Sequence, residues 1–162
     1  MKKIGIVMGS DSDLPVLRKA MDTLDSLEIP YVCHIYSAHR TPEQARAFAL
    51  SARENGFGAI IAAATTLPVI GIPCQGPCLD GIDALLSTVQ MPSGIPVATV
   101  AVNGGVNAAL LAAQILAVED SALARKLDAK RASDAQKVLA KDAALQMELN
   151  RDTPAVEEQS QR

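Results

Sequence analysis

Val7-Met8-Gly9-Ser10-Asp11-Ser12-Asp13 joins an apolar run to a segment with helical spacing. Ile4 to Met8 is short and apolar throughout, as in a buried parallel strand. From Leu14 onward the apolar residues recur at helical intervals. Between the two stand one glycine, two serines and two aspartates, with nothing bulky. Such a strand-to-helix turn gathers free backbone N–H groups at the positive end of a helix dipole. In an open α/β sheet that is where phosphate-bearing ligands bind. Ser, Asp and Gly are also common helix caps, so the turn by itself admits a ligand site or a plain cap.

Outward from this turn the chain alternates strands and helices. Strands are predicted at Lys3–Met8, Tyr31–Tyr36, Gly58–Ala62, Pro68–Ile72 and Val97–Val102, and helices at Asp13–Leu27, Pro42–Asn55, Leu79–Val89, Gly105–Ala117 and Ser121–Leu149. Pro15 and Pro42 suit helix starts, and Gly56 suits a left-handed C-cap. This alternation predicts an α/β fold, a parallel sheet with helices on both faces. One connection breaks the pattern. Only Ala63-Ala64-Thr65-Thr66-Leu67 separates the third strand from the fourth. Parallel neighbours need a crossover of roughly a dozen residues. Both strands are apolar throughout and suit a hairpin poorly, so a loop and helix are expected to be missing there.

At 162 residues the chain is long enough for one domain with a real core, assigned to residues 1–150. With no Trp, two Phe and two Tyr, aliphatic side chains must fill that core. Scarce aromatics and a net charge of −3 disfavour nucleic-acid binding, which draws on stacking platforms and basic faces. The apolar runs are too short and too broken to span a bilayer, and Lys2-Lys3 leads straight into a strand without a signal-peptide pattern. A cytoplasmic protein is expected. Cys33, Cys74 and Cys78 lack the partners of a zinc site and are expected to be buried thiols. The last helix outruns what a five-stranded core can use. Its partial stripe of Leu123, Leu127, Val138, Leu139, Leu145 and Leu149 predicts packing on another subunit, hence a homo-oligomer. The polar tail, residues 151–162, is expected to be disordered.

The second strand ends in Ser37-Ala38-His39-Arg40-Thr41-Pro42, again before a helix. In a doubly wound sheet this turn opens on the same edge as the Ser/Asp turn. A histidine there can exchange protons near neutral pH, and the arginine beside it offers a planar fork of donors to phosphate or carboxylate. His39 and Arg40 are therefore candidates for function. His34, mid-strand among apolar neighbours, reads as structural. Asn103-Gly104-Gly105-Val106-Asn107 and Gln75-Gly76-Pro77 add two more small, polar turns to the same edge, where glycine would let a ligand approach the backbone. Dinucleotide, P-loop, zincin and hydrolase signatures are missing from the sequence.

Three of these stretches, Gly9-Ser10-Asp11-Ser12-Asp13, Ser37-Ala38-His39-Arg40-Thr41-Pro42 and Leu67-Pro68-Val69-Ile70-Gly71, together with the run from Ser87 through Gln90-Met91-Pro92 to Val100, resemble the bacterial class I PurE proteins. That family comprises the 5-(carboxyamino)imidazole ribonucleotide mutases of purine biosynthesis. The likeness extends from about Lys3 to Val118. It implies a flavodoxin-like three-layer sandwich with a long C-terminal helix, assembled as an octamer, and a reaction using neither metal nor organic cofactor. The carboxylate moves from the exocyclic nitrogen to the ring carbon of an aminoimidazole ribonucleotide. Carried over by position, Ser10, Ser12, Asp13 and Arg40 bind this small-molecule ribonucleotide, Ser12 and Arg40 at its phosphate, and His39 is the acid–base group. The departure falls at the short connection. The family has a glycine- and alanine-rich loop with a His-Leu-Pro, then a helix, where this chain runs from Ile61-Ala62 straight to Ala63-Ala64-Thr65-Thr66-Leu67.

Two other readings compete. A related carboxylase uses free carbon dioxide and aminoimidazole ribonucleotide, but its family carries Lys-Gly where this chain has Arg40-Thr41. A non-catalytic flavodoxin-like binding module is the other. The third strand ends without the aspartate of a receiver, and flavin stacking would call for aromatics that this chain lacks.

Overall fold

A computed structural model describes residues 1–61, 66–76 and 79–152, the last three of these by backbone alone. Five parallel strands form one sheet in the order β2-β1-β3-β4-β5: β1 Lys3–Met8, β2 Tyr31–Ile35, β3 Phe57–Ile61, β4 Val69–Gly71 and β5 Ala98–Thr99. After Lys3, β1 is apolar, and it lies between β2 and β3, which is why residues on both of its faces are buried: Ile4, Ile6, Val7 and Met8. The helices are α1 Leu14–Ser26, α2 Pro42–Ser51, α3 Ile82–Val89, α4 Gly105–Ala117 and α5 Ser121–Asp152.

Two glycines show how the layers stack. A Cβ on Gly5 would meet the Phe48 ring of α2 at 3.0 Å, and one on Gly71 would meet Thr88 of α3 at 2.3 Å. Gly5 pairs with Ile60, Ile60 pairs with Val69, and Gly71 follows two residues later, so α2 and α3 cover one face. On the other, α1 and α4 pack against each other with alanines Ala20, Ala108, Ala109, Ala112 and Ala113 fully buried. The result is the expected three-layer α/β sandwich.

At Gly105 α4 comes close to α1. A Cβ there would lie 2.3 Å from the Val16 carbonyl oxygen, a backbone atom that has nowhere to go. The sequence suggested that this glycine opens space for a ligand; it opens space for a helix instead. Gly105→Ala is expected to cost about 1–3 kcal/mol through overpacking, read as a lowered thermal midpoint. Gly76→Ala, where nothing lies within 4 Å of the added carbon, is the control expected to leave the midpoint within error.

The two Phe, Tyr36 and His34 gather on the α2 side. His34 stacks on Tyr36 at 4.6 Å between centroids, and Phe48 meets the His34 and Phe57 rings edge-on at 5.3 and 5.2 Å. This cluster continues into a core of Ala52, Phe57, Ile60 and Leu67. His34 thus belongs to packing.

Strand ends differ from expectation where proline intervenes. Pro68 and Pro73 carry no N–H for the ladder, so β4 is confined to three residues between them. At the junction with the missing crossover, β3 and β4 are parallel although seven residues separate them. The dozen-residue rule applies to strands paired along their length. Here only Ile60↔Val69 and Ile61↔Ile70 pair, with the Ile60 N–H donating to Pro68 O at 3.0 Å. The fourth strand starts beside the end of the third, so the chain has little distance to retrace. Residues 62–65 lie outside the described ones. The Leu79–Val89 helix is also split: Leu79 and Asp80 hold left-handed φ values of 54° and 50°, and α3 proper begins at Ile82. The second helix stops short of the expected Asn55: α2 ends at Ser51 with Ala52 as its C-cap, so Gly56, although left-handed at φ 77°, turns the chain into β3 rather than capping the helix.

Residues Met1–Arg125 form one compact unit, and a second starts at Lys126 within α5. In the second, Lys130 and Lys137 grip Asp134 at 2.7 and 2.9 Å and their hydrogen bonds and charges pull its carboxyl down to about 2. Val138, Leu139, Leu145 and Leu149 of the expected stripe are exposed. The helix continues to Asp152, two residues beyond the expected domain limit; residues 153–162, most of the expected tail, lie outside the described ones. Among the described residues no helix is long and apolar enough to cross a membrane.

Candidate active site

Parallel strands send every βα turn to one edge of the sheet, and adjacent strands put their turns side by side. Because β1 and β2 are neighbours, the Gly9–Asp13 and Ser37–Thr41 turns meet. Arg40 makes the join: its Nη2 donates to Gly9 O at 3.1 Å. A cleft of about 410 Å³ opens between the turns, lined by Gly9, Ser10, Asp11, Ile35, Ser37, Arg40 and Thr41. One of the five guanidinium N–H donors is taken by Gly9, which leaves a fixed fork of donors at the cleft.

The Ser/Asp turn is a short 3₁₀ segment, Asp11–Asp13, ahead of α1. Ser10 Oγ accepts from Ser12 N at 3.3 Å and donates to Asp11 Oδ1 at 3.1 Å, while Ser12 Oγ donates to Asp13 Oδ1 at 3.4 Å. Asp13 occupies the N-cap of α1, yet its side chain caps nothing. The N–H groups of Ser12, Asp13 and Leu14 are bonded within the turn and Pro15 has none, so the turn offers a ligand the Ser10 and Ser12 hydroxyls at the positive end of α1 rather than the free N–H groups expected. That arrangement suits an anion.

The second turn is closed by side chains from both ends. Ser37 Oγ accepts from the N–H groups of His39 and Arg40 at 3.3 and 3.2 Å. Thr41 Oγ1 accepts from Ser37 N at 2.7 Å and donates to Ser37 O at 3.2 Å. His39 and Arg40 are both exposed at the crest of this turn. Arg40 lines the cleft; His39, the residue before it, is not among the lining residues. Of the expected residues, Ser10 and Arg40 thus share one cleft directly, Ser12 and Asp13 complete the first turn, and His39 flanks the second. Gly9, Ser37 and Thr41 were not singled out. The hydroxyls four residues apart, Ser37 and Thr41, were the available signal.

The remaining turns join the same edge. Gln75 N donates to Asn103 Oδ1 at 3.0 Å, Asn103 Nδ2 donates to Gln75 Oε1 at 3.2 Å, and Gln75 Nε2 donates to Asp80 Oδ1 at 3.3 Å. Cys74, just before Gln75, feels the charge of Asp13 from the first turn; burial first, then that charge, push its thiol up. Burial also pushes up the Cys33 thiol, which Arg18 partly offsets. Both are free, and half-buried rather than buried as expected, because each sits near the open edge of the sheet or its turns. Cys78 lies outside the described residues.

Fold and edge together define a parallel α/β protein with an anion-suited cleft at the carboxyl ends of its first two strands. The chain belongs to the AIR carboxylase family, whose description matches residues 3–137. It is 50% identical over 151 residues to the N5-carboxyaminoimidazole ribonucleotide mutase of Bacillus subtilis, covering 84% of this chain and 93% of that protein. It is 46% identical to the phosphoribosylaminoimidazole carboxylase of Saccharomyces cerevisiae over 156 residues, 88% of this chain and 27% of that longer protein. The crystal structure of Treponema denticola PurE superposes with a TM-score of 0.75 at 28% identity, covering 88% of this chain and 97% of that one.

The Bacillus alignment runs over 151 residues, yet 84% of a 162-residue chain is only about 136, so roughly 15 positions of the relative have no counterpart here. The yeast alignment gives a similar shortfall, 156 residues against about 143.

Proposed function

We propose that this chain is a mutase of purine biosynthesis, converting 5-carboxyaminoimidazole ribonucleotide to 4-carboxy-5-aminoimidazole ribonucleotide at the Ser10–Arg40 cleft. The observation that carries this reading is the Arg40–Gly9 bond, which brings the phosphate-suited turn and the histidine turn to one opening. Ser12 and Arg40 hold the phosphate, and Ser10 and Asp13 hold the rest of the ribonucleotide. His39 moves the proton.

The chemistry balances with one imidazole. The bond from the exocyclic nitrogen to the carboxyl carbon breaks, releasing carbon dioxide as the nitrogen takes a proton from imidazolium. The nucleophilic ring carbon then attacks carbon dioxide. The proton on that carbon leaves to the imidazole, restoring both the aromatic ring and the starting acid. A positioned histidine suits both transfers. The cleft must hold carbon dioxide beside the ring between the steps, which is the advantage of an enclosed site. A homo-oligomer, an octamer by resemblance, and a cytoplasmic location belong to the same reading. The exposed leucines of α5 support the assembly, and sedimentation of the full chain as a monomer would refute it.

Arg40→Ala tests the phosphate assignment. A charge-assisted contact is worth ~1.5–3 kcal/mol, so the Michaelis constant or dissociation constant for the ribonucleotide should rise roughly ten- to a hundredfold. An unchanged constant would move the phosphate elsewhere. The alternative carboxylase is favoured less because Lys-Gly would lack both the planar donor fork of Arg40 and the Thr41 hydroxyl that closes the second turn. Assays of both substrates at limiting bicarbonate separate the two. A binding module would take up the ribonucleotide and convert neither.

A further inference from the structure

We infer that Thr41 is a positioning residue for Arg40, and through it for phosphate recognition; this rests on the reading of the cleft given above. Thr41 occupies the N-cap of α2, where a threonine hydroxyl ordinarily accepts from an N–H of the first helical turn. Here it caps nothing. The hydroxyl turns backward, accepting from Ser37 N at 2.7 Å and donating to Ser37 O at 3.2 Å, an oxygen that also receives the Thr41 N–H at 2.8 Å. Forgoing the cap leaves α2 less well started, and what is gained is a closed turn between Ser37 and Thr41. Within it, Ser37 Oγ collects the N–H groups of His39 and Arg40, fixing the backbone from which both side chains project. The Ser37 residue that Thr41 grips is itself buried, so the turn is anchored to the sheet rather than to solvent. Arg40 then reaches Gly9 O without searching.

Valine in place of Thr41 keeps the branched shape and removes both hydroxyl bonds. The Ser37 N–H loses its acceptor, and Arg40 must be ordered by the ligand instead of beforehand. Binding of 5-aminoimidazole ribonucleotide, measured by calorimetry on the full chain, should weaken about tenfold in Thr41→Val and return to within twofold of the parent in Thr41→Ser. In an Arg40→Ala background, Thr41→Val should add no further loss, because nothing remains to be positioned. Thermal unfolding of each variant guards against simple loss of fold, and Thr41→Ser carries the test if Thr41→Val does not fold. Equal affinity in Thr41→Val, a Thr41→Ser affinity as weak as Arg40→Ala, or an additive loss in the double variant would overturn the inference. If the parent chain itself fails to bind the ribonucleotide, the cleft assignment falls first and takes the role of Thr41 with it; a parent that binds and a Thr41→Val that binds equally well removes Thr41 alone.

Discussion

His39→Asn should abolish proton transfer while leaving ribonucleotide affinity within a few-fold of the parent. Asparagine keeps polar volume and hydrogen-bonding capacity but cannot take or give a proton near neutral pH. General acid–base catalysis by one positioned group contributes about 10²- to 10⁴-fold, and losses of that size are expected. The cleanest readout avoids carbon dioxide altogether. Incubated with 5-aminoimidazole ribonucleotide in deuterated water, the parent should exchange the ring-carbon hydrogen, seen by proton NMR, and His39→Asn should exchange at the uncatalysed rate. The site geometry explains why binding survives: Arg40, not His39, lines the cleft, and the turn that carries both is closed by Ser37 and Thr41. Undiminished exchange would remove His39 from the mechanism.

The second large effect concerns the roughly 15 positions that the relatives have and this chain lacks. Every other parallel connection in the sheet includes a helix, whereas β3 and β4 are joined by seven residues. A crossover of about that size is what topology would place there, at the carboxyl edge where β3 delivers its turn. Holding a released molecule beside its partner is worth an effective concentration far above anything free in solution, and an incomplete wall forfeits it. The chain should bind ribonucleotide normally but turn over 5-carboxyaminoimidazole ribonucleotide far more slowly than the Bacillus relative, at least a hundredfold. Substrate labelled with carbon-13 in its carboxylate should lose most of the label to bulk bicarbonate. Inserting the relative's own segment between Ile61 and Leu67 should restore both rate and label retention. Turnover equal to that of the relative, with the label kept, would show that the remaining edge encloses carbon dioxide unaided.

The layout of the fold could be read because strand and helix periods differ so plainly along this chain. The first strand, Lys3–Met8, has the expected bounds, since an unbroken apolar run between Lys3 and Gly9 has few alternatives. The fourth and fifth strands were overextended. Val97–Val102 reads as a strand by β-branching, yet its ladder is limited to Ala98 and Thr99 by how short the partner β4 is. Partner length is a tertiary property that local pattern does not carry. The same holds at Gly105, whose reason is the Val16 carbonyl nearly ninety positions away, and at Asp80, whose left-handed backbone accompanies a bond from Gln75. Within the site, Ser10 and Arg40 were legible as residue types that bind anions at strand ends. The backward-facing hydroxyl of Thr41 was not, because threonine before a proline at a helix start satisfies a plain cap equally well.

A crystal structure of this chain with 5-aminoimidazole ribonucleotide bound would test the arrangement most directly. The phosphate should rest between the Ser12 hydroxyl and the Arg40 guanidinium, with a His39 ring nitrogen brought to within about 3.2 Å of the reacting ring carbon or the exocyclic nitrogen, directly or through one water. A phosphate seated away from Arg40, or an imidazole left pointing into solvent once the ribonucleotide is in place, would contradict it.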